Sequence, residues 1–147
     1  MKYMVDTNII NWLVDGSLST GDFAKDASFV ATHIQHDELS KTRDSKRREL
    51  LLDRFTSLVD STVSTESSIV GISKLGSCRI GDGILYGQLK SDLDSLNHCK
   101  GNNSEDALIA EAAIMNGHTL ITADEDLRTV AEQHGCNVAP LARYKAT

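Results

Sequence analysis

The chain is poor in the residues that mark many specialised proteins. It holds one proline in 147 residues, 5% aromatics and three cysteines, Cys78, Cys99 and Cys136, which are widely spaced. An odd number of cysteines with no CxxC pair excludes a disulfide framework and a cysteine-rich zinc motif, and agrees with a reducing compartment. No apolar run approaches the roughly 18 residues of a membrane span. The N-terminus also lacks a basic stretch followed by an apolar one and a cleavage site. A cytoplasmic protein with no membrane association is therefore expected. Neither GxxxxGK[ST] nor GxGxxG occurs, so nothing supports a phosphate-cradling loop, and no serine sits in a nucleophile elbow. Positive charge is scarce as well. Fifteen Lys and Arg face 21 Asp and Glu, for a net charge of −6. A nucleic acid would be repelled overall unless the cations are concentrated locally.

What remains is an ordinary globular composition, 40% hydrophobic and 24% charged, enough for a single domain over residues 1–147. Apolar periodicity gives alternating elements. A strand at 2–6 precedes a short helix from Ile9 to Asp15, stopped by Gly16. A polar loop leads to a strand at 28–32, a long helix from His36 to Val59 and a strand at 61–65. The glycine-rich stretch from Ser73 to Gly83 reads as irregular, followed by a helix from Ile84 to Leu96. Asn103 or Ser104 caps a helix that is apolar nearly all round from Ala107 to Met115, hence buried, and Asn116-Gly117 ends it. A strand at 118–122, a helix stopped by Gly135 and a last short strand, "CNVA", complete the chain. Strands alternating with helices predict an α/β fold with a parallel sheet.

In an open parallel sheet, ligands sit beyond the carboxyl ends of the strands. Asp6 directly follows the first strand, and Asp124 directly follows the strand at 118–122. Asp106 opens the buried helix, and Glu38 starts the helix after the strand at 28–32. These four acids, separated by 32, 68 and 18 residues, are predicted to meet at one rim. Like charges that close repel, and a hard divalent cation with oxygen ligands, Mg²⁺ or Mn²⁺, resolves the repulsion. Each acid also has a local reading. Asp6 and Asp124 can cap the helices that follow them, Asp106 and Asp126 can complement a helix dipole, and Glu38 can be a solvated surface acid. The group carries more weight than any member.

The segments "MVDTNII" (4–10), "THIQHDEL" (32–39), "NSEDALIAEAA" (103–113) and "LITADEDL" (120–127) resemble, in order and spacing, the motifs of the PIN domain family and its VapC-like toxin nucleases. The resemblance implies a three-layer sandwich with a parallel sheet of about five strands flanked by helices. It implies Asp6, Glu38, Asp106 and Asp124 as the catalytic, metal-binding quartet, with Asp126 as an auxiliary. Asn8 and Thr122 resemble the polar residues that support the quartet. The function implied is endoribonuclease activity dependent on Mg²⁺ or Mn²⁺, as the toxin of a type II toxin–antitoxin pair. The partners implied are an RNA substrate, an antitoxin protein and a second copy of the chain in a homodimer. The stretch 61–100 departs from the usual toxin pattern. That keeps open a free-standing nuclease acting on RNA or single-stranded DNA, or a catalytically silent module binding RNA or protein.

An acidic site needs help with a polyanion. The basic stretch 41–54 continues the helix begun near Glu38. Lys41, Arg43, Lys46 and Arg47 are therefore candidate RNA contacts, with Lys41 and Lys46 near the face of Glu38. A solvated helix face is the alternative.

Overall fold

The computed structural model describes residues 2–23, 25–65 and 83–139. The glycine-rich stretch from Ser73 lies, as far as residue 82, outside the described residues, and so does Cys78. Four strands, β1 (Lys2–Val5), β2 (Ser28–Ala31), β3 (Ser61–Thr62) and β4 (Thr119–Ile121), form one sheet. Its order is β3-β2-β1-β4, and every pairing is parallel. The chain winds outward from β1 through β2 to β3, then returns to place β4 on the other side of β1. The crevice where the strand order reverses therefore opens between β1 and β4, the usual ligand position in such sheets.

The pleat of β1 divides the core. Tyr3 and Val5 face one layer with α1 (Thr7–Asp15) and α3 (Ser45–Leu58), through Ile9, Ile10, Leu13, Leu51 and Phe55. Met4 faces the other layer with α4 (Ile84–Asn97), α5 (Asn103–Asn116) and α6 (Glu125–Gln133), through Leu89, Leu93, Leu108, Leu127 and Val130. Burial on both faces explains why the strands read as continuous apolar runs. The α/β sandwich with a parallel sheet flanked by helices is thus present. Helix α5 is buried along Ala107–Ala113, and Gly117 ends it with a left-handed φ of 68°, where glycine bears no steric penalty.

The structure differs from expectation at three places. The fifth strand, 136–139, is reduced to a parallel bridge between Val138 and Leu120, with Leu120 donating to the Asn137 carbonyl and Ala139 to that of Leu120. Pro140, next in sequence, has no N–H to extend a ladder. β3 keeps two exposed residues, although Asp60 and Val63 add backbone bonds to Phe29 and Ala31 on either side. The long helix from His36 to Val59 is two helices, α2 (His33–Ser40) and α3, with Lys41 closing the first. Asp44 starts the second, its carboxylate accepting from the N–H groups of Lys46 (2.9 Å) and Arg47 (3.1 Å). An aspartate that caps so readily competes with continued helix, so the break is local chemistry.

Candidate active site

The carboxyl rim of the sheet is built from the strand ends outward. β1 ends in Val5, and Asp6 becomes the N-cap of α1, its Oδ1 accepting the Thr7 N–H at 2.8 Å. Its Oδ2 accepts the hydroxyl of buried Thr122 at 2.6 Å and the Nδ2 of Asn8 at 3.2 Å. Asn8 also donates to Thr122 Oγ1 (3.1 Å) and accepts from the Ala123 N–H (3.0 Å). Both sides of the β1–β4 crevice are thereby tied together through two side chains. Asp124 caps α6, its Oδ1 accepting from the N–H groups of Asp126 (3.0 Å) and Leu127 (3.2 Å). The local, capping reading of Asp6 and Asp124 is therefore correct as far as it goes. It accounts for one oxygen of each.

Glu38 arrives through α2. Buried Gln35 donates from Nε2 to the Val5 carbonyl at 3.0 Å, fastening the start of α2 to the end of β1. Glu38, three residues on, shares that side of the helix and accepts the Thr7 hydroxyl on Oε2 at 2.9 Å. Its Oε1 is buried with no hydrogen-bond partner among the described residues, as is Oε2 of Glu105. Asp106, in the first turn of α5, is 3% exposed.

The electrostatics record how near these acids lie. Burial pushes Asp6 upward and the charge of Asp124 adds to it, against the hydrogen bonds from Thr122, Thr7 and Asn8. Burial, then the charge of Asp6, raise Glu38 to about 7, with Glu105 adding and the Thr7 bond and Lys41 opposing. Burial and the charges of Asp6, Glu38 and Asp124 raise Asp106 to about 8, with Lys100 opposing. Carboxylates so placed hold protons that a cation would displace. Among the described residues no three acid, histidine or cysteine side chains are already close enough to close a shell round an ion. The donor set is nevertheless all carboxylate oxygen, with buried oxygens on Glu38 and Glu105 lacking any hydrogen-bond donor. That chemistry suits a hard divalent ion.

Asp6, Glu38, Asp106 and Asp124 thus lie near enough for their charges to act on one another, with Asn8 and Thr122 bonded to the first. Among the described residues, Asp126 enters the network through its backbone N–H, which donates to Asp124. The basic candidates scatter. Lys41 lies near Glu38, and Arg43 and Lys46 are exposed. Arg47 turns away to Asp15 (2.8 Å) and Asn11 (2.7 Å) on α1. Three neighbours of the site are not among the residues the sequence assigns to it: Thr7, Lys100 and Glu105. Thr7 and Glu105 adjoin quartet members, which is the only signal either carried. Lys100 is 24 residues from its contact Asp124 and carried none.

No protein-family model and no curated sequence matches the chain. Among solved structures it is similar to VapBC2 from Rickettsia felis bound to a DNA fragment from their promoter, with a TM-score of 0.60 and 21% identity, covering 95% of this chain and 98% of that one. It is also similar to VapBC-1 from nontypeable Haemophilus influenzae, at a TM-score of 0.57 and 20% identity, covering 97% and 99%. At these identities the likeness is one of fold, and it runs nearly end to end. The chain has a VapC-like PIN fold.

Proposed function

We propose that this chain is an endoribonuclease that hydrolyses RNA phosphodiester bonds with Mg²⁺ or Mn²⁺, and that it is the toxin of a type II toxin–antitoxin pair. The observation that carries the reading is the mutual electrostatic influence of Asp6, Glu38, Asp106 and Asp124, acids from four separate segments, with burial and neighbouring charge raising the protonation of the first three. The end-to-end likeness to chains of VapBC complexes supports the toxin assignment. A small antitoxin protein would cover the acidic crevice, and the active form would be a homodimer in the cytoplasm.

Asp6, Glu38, Asp106 and Asp124 would hold the ion, which when bound acidifies water and offsets charge on the phosphate. The chain's own groups set the rest. Thr122, Asn8 and the Thr7 N–H fix the Asp6 carboxylate, so its orientation is prepared before substrate arrives. The Thr7 hydroxyl holds one oxygen of Glu38 and leaves Oε1 to accept a proton from an attacking water. Cleavage by water on this pattern leaves 5′-phosphate and 3′-hydroxyl ends. Asp126, in the first turn of α6, is an auxiliary.

The test is cleavage of labelled single-stranded RNA in Mg²⁺, Mn²⁺ or EDTA, with single-stranded DNA alongside, comparing wild type with Asp6→Asn. Metal-dependent cutting of RNA that Asp6→Asn loses is the expected result. Equal cutting of DNA would replace the toxin reading with a broader nuclease. Absence of cutting by wild type in every metal would sink the enzymatic reading.

A further inference from the structure

A cation reaches the rim on a turn that is held at both ends. α4 closes at Asn97, and His98 and Cys99 both take left-handed conformations, with φ of 58° and 60°, a costly arrangement for residues with a Cβ. The Lys100 N–H donates to Asn97 Oδ1 at 3.2 Å, and the Lys100 carbonyl accepts the Asn103 N–H at 3.1 Å. Buried Asn103 in turn donates to Asp94 Oδ1 (2.7 Å) and Asn97 Oδ1 (2.8 Å). This arrangement sets Lys100 Nζ 3.6 Å from Asp124 Oδ2, the oxygen not used in capping, with 54% of the lysine side chain exposed. The pair is loose and open to solvent, so little is lost when it separates.

The basic stretch read from the sequence is committed elsewhere in part: Arg47 to α1, and Arg48 to the Thr42 carbonyl at 3.0 Å. We propose that Lys100 receives the RNA phosphate beside the acidic rim, resting on Asp124 in the free protein and turning to a phosphodiester oxygen when the strand enters. A compact ammonium on a flexible stem, with three donors, suits that exchange. The nature of the ligand rests on the ribonuclease reading above. The identity of the residue that offsets the rim's negative charge is new to it.

Binding of a labelled single-stranded RNA, followed by fluorescence anisotropy in EDTA over a KCl series, tests the proposal without cleavage. Wild type is compared with Lys100→Met, Lys100→Arg and Lys2→Met. The last removes the same charge at the amino end of β1, where Lys2 is exposed. Lys100→Met should weaken binding several-fold at low salt and lower the slope of log Kd against log[KCl] by about 0.7, the loss of one phosphate contact on a single strand. Lys100→Arg should keep the slope, and a thermal melt of Lys100→Met should match wild type. Equal slopes for Lys100→Met and Lys2→Met, or no binding by wild type, would overturn it. A lowered slope without metal-dependent cleavage by wild type would leave Lys100 standing and remove the nuclease reading. Cleavage with an unchanged slope would do the reverse.

Discussion

Two helix entrances in this molecule use the same residue in the same way, and only one belongs to a candidate active site. Asp44 opens α3, its Oδ1 accepting the Lys46 and Arg47 N–H groups, and Asp6 opens α1, its Oδ1 accepting the Thr7 N–H. Asp44 is exposed on the surface, and its carboxylate is explained once the helix start is satisfied. Asp6 is 4% exposed, and its second oxygen lies against Thr122 and Asn8, within reach of the charge of Asp124. Capping accounts for an aspartate at either place. It does not account for burying one among other carboxylates, which costs stability with no local return. The difference teaches that an acid's function is read from what it is buried with, since its local motif is shared.

The comparison breaks most visibly on exchange of each aspartate for asparagine, which still caps. Asp6→Asn and Asp106→Asn should abolish metal-dependent RNA cleavage while the fold is kept, as judged by circular dichroism. Asp44→Asn should leave the cleavage rate unchanged. If Asp44→Asn also loses activity, the contrast between the two entrances is false.

The next effect is on stability against pH. In metal-free protein, burial and neighbouring carboxylate charges push Glu38 up to about 7 and Asp106 up to about 8, well above the 4.5 and 3.8 of free carboxyls. Between those limits the folded chain holds protons that the unfolded chain has lost. Their contribution therefore makes stability fall as pH rises from about 4 to 8, after which it levels. Chelated protein should melt lower at pH 8 than at pH 5.5, by the equivalent of a few kcal/mol. Asp106→Asn should flatten the profile, and added Mn²⁺ should raise the pH 8 midpoint. A profile equally steep in Asp106→Asn would place the titration elsewhere.

Smaller effects sharpen the same contrast. Thr122→Val removes the 2.6 Å hydroxyl bond to Asp6 at nearly constant volume. It should cost about 1–3 kcal/mol in denaturant unfolding and about 10–100-fold in metal affinity or cleavage. Asp44→Ala should cost about 1 kcal/mol in the same unfolding assay with no change in cleavage.

Much of this layout was legible without coordinates. The parallel α/β order followed from period changes, and the apolar run 107–115 announced a buried helix, which holds as far as Ala113, Met115 being exposed. Asp6 and Asp124 could be assigned to one edge because each follows the carboxyl end of a strand within three residues. The break at 41–44 was missed because charged residues there are as compatible with helix as with a turn, until Asp44 is seen to take backbone donors. That break also undid the continuous basic face, since Arg47 then meets Asp15 on α1. The expected fifth strand shows one bridge among the described residues, because four residues of β character do not reveal how long a ladder the edge forms.

The amino-acid sequence by itself determined the elements, their alternation and the acids at the strand ends, because propensity, capping and apolar period act over a few residues. Only the tertiary structure decided which acids would share one environment. Gln35 on Val5, Thr7 on Glu38 and Lys100 on Asp124 each join residues 24 to 31 positions apart. Burial and charge–charge coupling are properties of that shared space, and no local segment contains them.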